Sequence, residues 1–436
     1  MLPQLAYFEI TPKIVPTYKT TVIRIHPKGR HCAFSPDKSY QLRIIPMAET
    51  MEEYECQPGH TADDPNYVLL TPTFANGDLL CPVDYGMEQQ YDLHLYENGK
   101  PTQWRFATYA LDPDLFARRP YRGDLHVHSF LSDGKEAPEF VAGVYRKYGF
   151  DFMAITDHHR YEPSLQAIDA YKDVPIDLKL FPGEEVHLPE NHIHIVNFGG
   201  DYSVNALCHE DEQRYYREVR EIEKTLDCPC GVSSFEYAAC LWIYRHIENG
   251  GGLSIFAHPH WIAYAYHVRE AMTKYQLKNK PFGAFELLGG QSQEENIMQL
   301  AMYHQMRAEG ADIPIVGSSD SHGTLTNLFP GSFNQNKTFV FAKSTDKADI
   351  ISAVKDHYSA VVNQPTGEKP MVFGEYRMVS YALFLEQYYF PLHDELCFEE
   401  GNQMLSFIAG DENAAKMLEV LHGRTQKLME RIFAAE

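Results

Sequence analysis

Between Gly123 and about residue 342, short apolar runs alternate with segments of helical periodicity. The predicted strands are GDLHVH, DFMAIT, LKLFPGEEV, HIHIVNF, GLSIFAH, FGAFELL, IPIVGSS and KTFVFA. Strands that alternate with helices form parallel sheets or barrels. Eight strands in roughly 240 residues fit the size of a single α/β barrel. This alternation excludes an all-helical or all-β fold for the centre of the chain.

Polar side chains follow these strands at the points where the strands end. The suggestive groups are His126, His128, Asp157, His158, Glu184, Glu185, His258, Asp320 and His322. The carboxyl ends of parallel strands in a barrel meet on one face, where such barrels place their active sites. Side chains alternate along a strand, so His126 and His128 point the same way and can bind one ion. A single HxH pair on a solvated strand face would explain the same two residues without any ion.

Residues 1–119 have a different pattern. Short runs with alternating apolar residues predict strands, among them TTVIRI, YQLRII, YVLLTPTF and YDLHLY. The dipeptide Asn98-Gly99 follows YDLHLY, and Asn-Gly is a strong hairpin signal. We predict an antiparallel β-sandwich as an accessory domain over 1–119, ahead of a barrel over 120–365.

Residues 366–436 contain helical stretches such as AAKMLEVLHGRTQKLMERIF, in which Leu418, Leu421, Leu428 and Ile432 fall near one face. We predict a helical C-terminal extension that packs on the barrel. No chemistry is visible in it.

The charge limits the partners. The chain has 38 Lys and Arg against 60 Asp and Glu, for a net charge of -22. This charge repels duplex nucleic acid, whereas a small anionic substrate could still bind where cations reverse the local field. The first residues do not resemble a secretion signal, and no stretch approaches the roughly 18 apolar residues of a membrane span. We expect a cytoplasmic protein that uses no membrane; its oligomeric state is left open.

Mixed imidazole and carboxylate ligands suit Zn, Mn or Fe, and a carboxylate can bridge two ions. Such a pair can hold a hydroxide at neutral pH and stabilise charge on a phosphoryl or acyl oxygen, so hydrolysis is the predicted chemistry. The motifs GxSxG, GxxxxGK[ST] and GxGxxG are missing from the sequence. This argues against a serine hydrolase, a P-loop enzyme and a dinucleotide-dependent dehydrogenase.

The motifs GDLHVHSFLSDG, AITDHH, GEEVH, HIVNFGG, FAHPH and GSSDSHG together resemble the polymerase and histidinol phosphatase (PHP) family of metal-dependent phosphoesterases. The resemblance covers about residues 120–365, with the motifs in the family's order. It implies a distorted (β/α)7 TIM-like barrel and the hydrolysis of phosphomonoesters by a metal-bound hydroxide.

The resemblance also implies a ligand set for two or three divalent ions. His126, His128, Glu185 and Asp320 would hold the first ion. Glu185 would bridge to a second ion, which His194 and His258 also bind. The third ion would be held by Asp133, His158 and His322.

Within GEEVH, Glu185 is preferred to Glu184 because the family pattern reads Gly, any residue, Glu. His194 is preferred to His192 because an apolar pair and a glycine-containing turn follow it. Asp157 is expected to support or orient a ligand.

His159, Arg160 and His260 are candidate contacts for an anionic substrate group, although each could equally be an ordinary surface or packing residue. Glu286 could line the pocket, but a structural hydrogen bond explains it as well.

Three functions remain open. The favoured one is a phosphoesterase that cleaves a small-molecule phosphate ester. The same ions could instead serve a carboxylic ester, carbamate or amide hydrolase. The chain could also be a non-catalytic metal-binding module, although every matched ligand position is filled by a residue able to bind metal. An amidohydrolase of another barrel family also begins with HxH, but no lysine at a strand end supports its carboxylated-lysine bridge.

Overall fold

The computed structural model describes residues 2–50, 67–324 and 333–434. It divides the chain into two compact units. The first consists of Met1–Arg119, Ser380–His393 and Gly423–Glu436, and the second of Pro120–Val379 and Asp394–His422. Residues 366–436, predicted as one extension, are thus shared between both units. The division into domains 1–119, 120–365 and 366–436 stays a prediction, because compactness does not test independent folding.

The amino-terminal part of the first unit, up to Arg119, is built from short strands with two small helices. The strands are β1 (Phe8–Thr11), β2 (Ile14–Pro16), β3 (Thr20–Pro27), β4 (Tyr40–Pro46), β5 (Val68–Leu70), β6 (Thr73–Ala75), β7 (Asp78–Asp84), β8 (Gln89–Glu97) and β9 (Lys100–Leu111), and the helices are α1 (Pro3–Tyr7) and α2 (Pro113–Phe116). They form one sheet in the order β1-β3-β7-β6 and another in the order β2-β9-β8-β4-β5.

Alternating burial of side chains along the strands explains how these two sheets form a core. Every second residue of β4 and β8 is buried, as the sequence pattern predicts. Apolar side chains of both sheets, such as Ile23, Leu79, Leu42 and Leu93, share one core. Pairing is antiparallel except where β2 runs parallel to β9. A sandwich stays a prediction.

The Asn98-Gly99 hairpin is confirmed. β8 and β9 are joined by these two residues alone, with Glu97 opposite Lys100. Their φ angles are 50° and 73°, and two successive positive values define the turn type that Asn-Gly favours.

The second unit mixes strands and helices. Its strands are β10 (Arg119–Asp124), β11 (Phe152–Ala154), β12 (Lys179–Phe181), β13 (Gly183–Val186), β14 (Ile195–Phe198), β15 (Leu253–Phe256), β16 (Ala284–Leu288), β17 (Ile315–Gly317), β18 (Asn336–Ala342), β19 (Ser359–Asn363) and β20 (Met371–Gly374). The helices between them are α3 (Pro138–Lys147), α4 (Glu162–Ala170), α5 (Val204–Glu210), α6 (Glu212–Glu223), α7 (Ser234–Asn249), α8 (Glu270–Asn279), α9 (Gln293–Ala308) and α10 (Lys347–Lys355).

The strands of this unit form two sheets, in the orders β12-β11-β10-β18-β19-β20 and β13-β14-β15-β16-β17. β10, β11 and β12 are parallel to one another, as are β15, β16 and β17. Isolated parallel bridges join Val127 to Ser321 and His158 to Glu185, so strand ends of the two sheets meet. The unit is a mixed α/β fold, and its closure into a (β/α)7 barrel stays a prediction.

One strand contradicts the expected parallel arrangement. β14 runs antiparallel to both β13 and β15, and it begins at Ile195 rather than at His192. Its amino end therefore lies beside the carboxyl ends of its neighbours, which places His194 at the same edge as Glu185.

Toward the carboxyl end the chain is helical, as predicted, with α11 (Tyr376–Tyr388), α12 (Phe390–Ile408), α13 (Ala414–Leu421) and α14 (Arg424–Ile432). The apolar face predicted from Leu418 to Ile432 is interrupted, because Gly423 has a φ of 76° and separates α13 from α14. Among the described residues, no helix has the length and apolar character needed to cross a bilayer.

A buried ion cluster joins α12 to β11 within the second unit. Arg146 of α3 is fully buried, and its Nε lies 2.6 Å from Glu400 Oε2. Its Nη1 lies 3.2 Å from Asp151 Oδ1 and donates to the Phe150 carbonyl at 3.0 Å. A third carboxylate, that of Asp177, lies 3.7 Å from Nη2.

Arg146→Met is expected to lower the free energy of unfolding by about 3–5 kcal/mol, because it leaves buried carboxylates without their cation. Lys172→Ala is the matched control, since it removes an exposed ion pair with Asp169 and should leave stability nearly unchanged. Denaturant unfolding of both variants measures the difference. Equal effects would contradict a stabilising role for the cluster.

Candidate metal centre

The predicted ligands converge because each one lies at the end of a strand. His126 and His128 follow β10, His158 follows β11, and His258 follows β15. Glu185 lies within β13. Asp320 and His322 follow β17, and Asp133 lies on the loop after β10.

Glu185 lies at the centre of this group. Its side chain is completely buried, and its oxygens lie 2.6 Å from His158 Nδ1 and 2.7 Å from His194 Nδ1. Imidazole nitrogens of three further predicted ligands lie at 3.5 Å, those of His126, His128 and His258. Neither oxygen accepts a hydrogen bond of normal geometry from these rings. An orphaned buried carboxylate surrounded by imidazoles fits a ligand whose cation completes the site.

Asp320 forms the second carboxylate of the centre. Its Oδ1 lies 3.0 Å from His128 Nε2 and 3.4 Å from His126 Nε2. The two imidazoles approach each other with their Nε2 atoms 3.1 Å apart. His258 Nε2 lies 4.0 Å from Oδ2. Three different strand ends thus direct ligand atoms toward one small volume.

A further group of predicted ligands surrounds Asp133. Asp133 Oδ2 is 3.3 Å from His322 Nε2 and 3.5 Å from His158 Nε2, and its Oδ1 is 3.8 Å from His128 Nδ1. The ligand atoms of these four residues all lie within 4.8 Å of one another. The same is true of His126, His258 and Asp320, and of His126, His128 and Glu185. These groups could hold metal ions, and the structure brings together all nine residues predicted as ligands.

The charge states of the carboxylates and some imidazoles suit metal binding. Burial acts to raise the pKa of Glu185, but His194 and His126 outweigh it and hold this pKa well below its usual range. The pKa of Asp320 is also held low, because His126 and His128 overcome the effect of burial. Burial lowers the pKa of His128 to about 4. Ionised carboxylates and neutral imidazoles are the forms that bind metals.

His158 differs from His128. Burial lowers its pKa, but Glu185 and Asp133 have the larger effect and raise the value to about 10. A metal ion bound at this ring must therefore displace a proton.

The backbone is strained beside two of the ligands. His258 has a φ of 25° and Asp320 a φ of 47°, values in the left-handed region that residues other than glycine rarely adopt. Strain of this kind persists only where the surroundings enforce it, and it is concentrated at functional sites.

Buried carboxylates outside the ligand set orient it. Glu286 Oε2 lies 2.9 Å from His126 Nδ1 and leaves Nε2 directed at Glu185 and Asp320. The sequence analysis interpreted Glu286 as a structural hydrogen-bond partner, and this contact agrees with that interpretation. The sequence did not reveal that the partner is His126, itself a predicted ligand. Asp124 accepts from the backbone N–H groups of His126 and Ser319. Burial raises the pKa of Asp124 to about 7.

Asp157 contacts the loop that bears Asp133. It accepts hydrogen bonds from the backbone N–H of Ser129 at 2.8 Å and from the hydroxyls of Ser129 and Ser132. Glu184 points to the opposite face, where Asn197, Ser203 and Asn205 donate to it. The side-chain alternation that places Glu184 on the face opposite Glu185 is therefore present in β13.

A cavity of about 560 Å³ opens directly beside the ligands. The described residues that line it are Asp133, His158, His194, His258, Trp261, Ile262, Gly290, Gln291, Ser292, Glu295, Asp320 and His322. The amide of Gln291 donates to Asp320 Oδ2 at 3.0 Å. A cavity of this size next to a ligand cluster can admit a small molecule.

The three residues predicted to meet a substrate do not line this cavity. His159 lies in a separate pocket with His187, His192 and His267. Arg160 is exposed and donates to the Leu131 carbonyl at 2.7 Å, and the His260 side chain is buried. The lining residues Trp261, Gln291 and Glu295 were not predicted, because none of them is part of a recognised motif.

His187 was also missed by the sequence interpretation. Its Nε2 lies 2.8 Å from His158 Nδ1 and 3.5 Å from Glu185 Oε2. His187 follows Glu185 by two positions, so the alternation of side chains along the strand places both on the same face. This signal could have identified His187 from the sequence.

Glu286→Gln is expected to weaken metal binding by about 10- to 100-fold, because His126 loses the carboxylate that orients its ring. Competition with a chelator measures the affinity, and circular dichroism confirms the fold. An unchanged affinity would show that Glu286 does not orient the ligand.

No protein-family model matches the chain, and no curated protein matches it in sequence. Its structure is similar to that of a two-domain protein from Bacteroides vulgatus that contains a predicted PHP-like metal-dependent phosphoesterase. The identity is 16%, the TM-score is 0.43, and the match covers 62% of this chain and 70% of that one. It is also similar to an amidohydrolase from Chromobacterium violaceum, with 17% identity, a TM-score of 0.32, and coverage of 48% of this chain and 89% of that one.

A protein that contains a predicted PHP-like phosphoesterase is thus among the solved structures to which the chain is similar.

Proposed function

We propose that this chain is a metal-dependent hydrolase, and specifically a phosphoesterase that cleaves a small-molecule phosphate ester. The observation that carries the proposal is Glu185, a buried carboxylate whose two oxygens face five predicted imidazole ligands without accepting a normal hydrogen bond from them. Such an arrangement is costly unless a cation completes it. The adjacent cavity gives the cation access to a small molecule.

We assign His126, His128, Glu185 and Asp320 to one ion, with Glu185 shared by a second ion at His194 and His258. Asp133, His158 and His322 are assigned to a third. Zn, Mn and Fe suit these donors. When bound, such ions supply an activated water and neutralise the charge that develops on a phosphoryl oxygen.

The residues of the chain prepare this site. Glu286 fixes the orientation of the His126 ring, and Asp157 fixes the loop that bears Asp133. Gln291 fixes Asp320 through its amide. These contacts reduce the reorganisation needed when the substrate binds, which favours catalysis over simple metal storage.

A second candidate is the hydrolysis of a carboxylic ester, carbamate or amide at the same centre. None of the described residues that line the cavity is Lys or Arg. A site without Lys or Arg can accept a neutral substrate, whereas a phosphate there depends mainly on the ions.

The proposal is tested with Glu185→Gln and Glu184→Gln, a matched pair of adjacent buried glutamates that face opposite sides of β13. Each protein is reconstituted with Zn, Mn or Fe, its metal content is measured, and hydrolysis of phosphomonoesters, phosphodiesters and carboxyl esters is assayed. The wild type should hold two or three ions and release phosphate. The Glu185 variant should lose at least about half of the bound metal and about 100-fold or more in activity, since it removes a bridging ligand.

The Glu184 variant should keep its metal, while its stability falls by about 1–3 kcal/mol because buried hydrogen bonds are lost. Turnover of carboxyl esters without phosphate release would select the second candidate. Less than one ion in the reconstituted wild type would contradict the metal centre altogether, and bound metal without any turnover would leave only a binding module.

A further inference from the structure

One wall of the cavity is an apolar loop held in place by its own backbone. The N–H of Trp261 donates to the His258 carbonyl at 3.1 Å, and the N–H of His267 donates to the Trp261 carbonyl at 2.7 Å. Ile262 forms an antiparallel bridge with Tyr266. These contacts close residues 261–267 into a short hairpin.

Glu295 of α9 attaches this hairpin to the rest of the wall. One of its carboxylate oxygens accepts the N–H of Ile262 at 2.6 Å, and the other accepts the N–H of Ser292 at 2.7 Å. Glu295 is itself buried, with 7% of its surface exposed. The position of Ile262 is therefore fixed relative to the amino end of α9.

Trp261 lies close to the predicted ligands and yet keeps an accessible face. Its ring centroid is 6.1 Å from that of His194 and 6.3 Å from that of His258. Trp261 is 39% exposed and Ile262 is 43% exposed, although both line the cavity. Large apolar side chains held open beside a reacting centre are available to contact a ligand.

The charges of the cavity further restrict which substrate it can bind. Its described lining includes the carboxylates of Asp133, Glu295 and Asp320 and no Lys or Arg, and its four histidines are all predicted metal ligands. Away from the ions, a second anionic group on the substrate would meet these carboxylates without a Lys or Arg of the described lining to offset them.

We propose that Trp261 and Ile262 bind the alcohol portion of the substrate, and that this portion has a flat apolar face. The substrate class is then the phosphate monoester of an aromatic alcohol, and polyol phosphates and polyphosphates are poor substrates. This inference rests on the proposed phosphoesterase function. Aromatic rings stack on Trp with a gain beyond their buried area, whereas a polyol would leave its hydroxyls unpaired against Trp261 and Ile262.

The test compares benzyl phosphate with glycerol 2-phosphate, because both release an alcohol from a saturated carbon, while one carries an aromatic ring and the other two free hydroxyl groups. The proteins are the metal-loaded wild type, Trp261→Ala and Tyr264→Ala. Tyr264 is the matched control, since it lies on the same loop, is fully exposed and is absent from the cavity lining. We expect kcat/KM for benzyl phosphate to fall at least about tenfold in the Trp261 variant, with a change of less than about threefold for glycerol 2-phosphate. The Tyr264 variant should change neither value.

Binding supplies a readout that needs no turnover. Calorimetry compares benzylphosphonate with methylphosphonate, neither of which can be hydrolysed. The wild type should bind benzylphosphonate at least about tenfold more tightly, and Trp261→Ala should abolish that preference.

Equal losses for both phosphates in the Trp261 variant, or a wild-type preference for glycerol 2-phosphate or methylphosphonate, would overturn the inference. Wild-type protein that releases no phosphate but retains the benzylphosphonate preference would support the apolar wall while contradicting the phosphoesterase activity. The two failures are thereby distinguished.

Discussion

The structure of the second unit depends on one buried carboxylate. A negative charge removed from water is expensive unless cations or hydrogen bonds surround it, and Glu185 is wholly buried among imidazoles. The rings reach it from the ends of different strands, so the sheets must be arranged as they are for the charge to be tolerated. The fold and the chemistry of the site thus both require the imidazoles to surround the carboxylate of Glu185.

The reversed strand β14 shows how this condition is met. In a wholly parallel sheet, His194 would lie at the opposite edge from Glu185. Because β14 runs antiparallel to β13 and β15, its first residues lie at the ligand edge. The direction of one four-residue strand therefore decides whether His194 can reach the centre.

Sequence reasoning could identify groups that depend on local spacing. The HxH pair, the adjacent glutamates of GEEVH and the DHH and DSH motifs lie at strand ends, and the period-two alternation tells which side chains share a face. The ligand position of His194 was predicted from the family pattern, whereas the direction of its strand was not. Strand direction depends on pairing between distant segments, and local periodicity carries no information about it.

Asp157 was predicted as a supporting group and Glu286 as a hydrogen-bond partner, but the role of Asp124 and the ligand that Glu286 contacts escaped prediction for a similar reason. Glu286 and Asp124 act through contacts with residues far away or on another strand, and the role of Trp261 depends on a loop without regular periodicity. The predicted substrate residues His159, Arg160 and His260 were chosen because they adjoin ligands in sequence. None of the three is among the described residues that line the cavity, and their contact with a substrate stays a prediction.

The self-closed hairpin at 261–267 has a consequence for how this kind of site can diversify. Its two ends are joined by a backbone hydrogen bond from His267 to Trp261, and its attachment to α9 also uses a backbone N–H, that of Ile262. Bonds of this kind survive changes of side chain. Side chains of the hairpin can therefore be substituted, and the substitutions change which molecule the cavity binds. The strand ends that hold the ligands keep their positions.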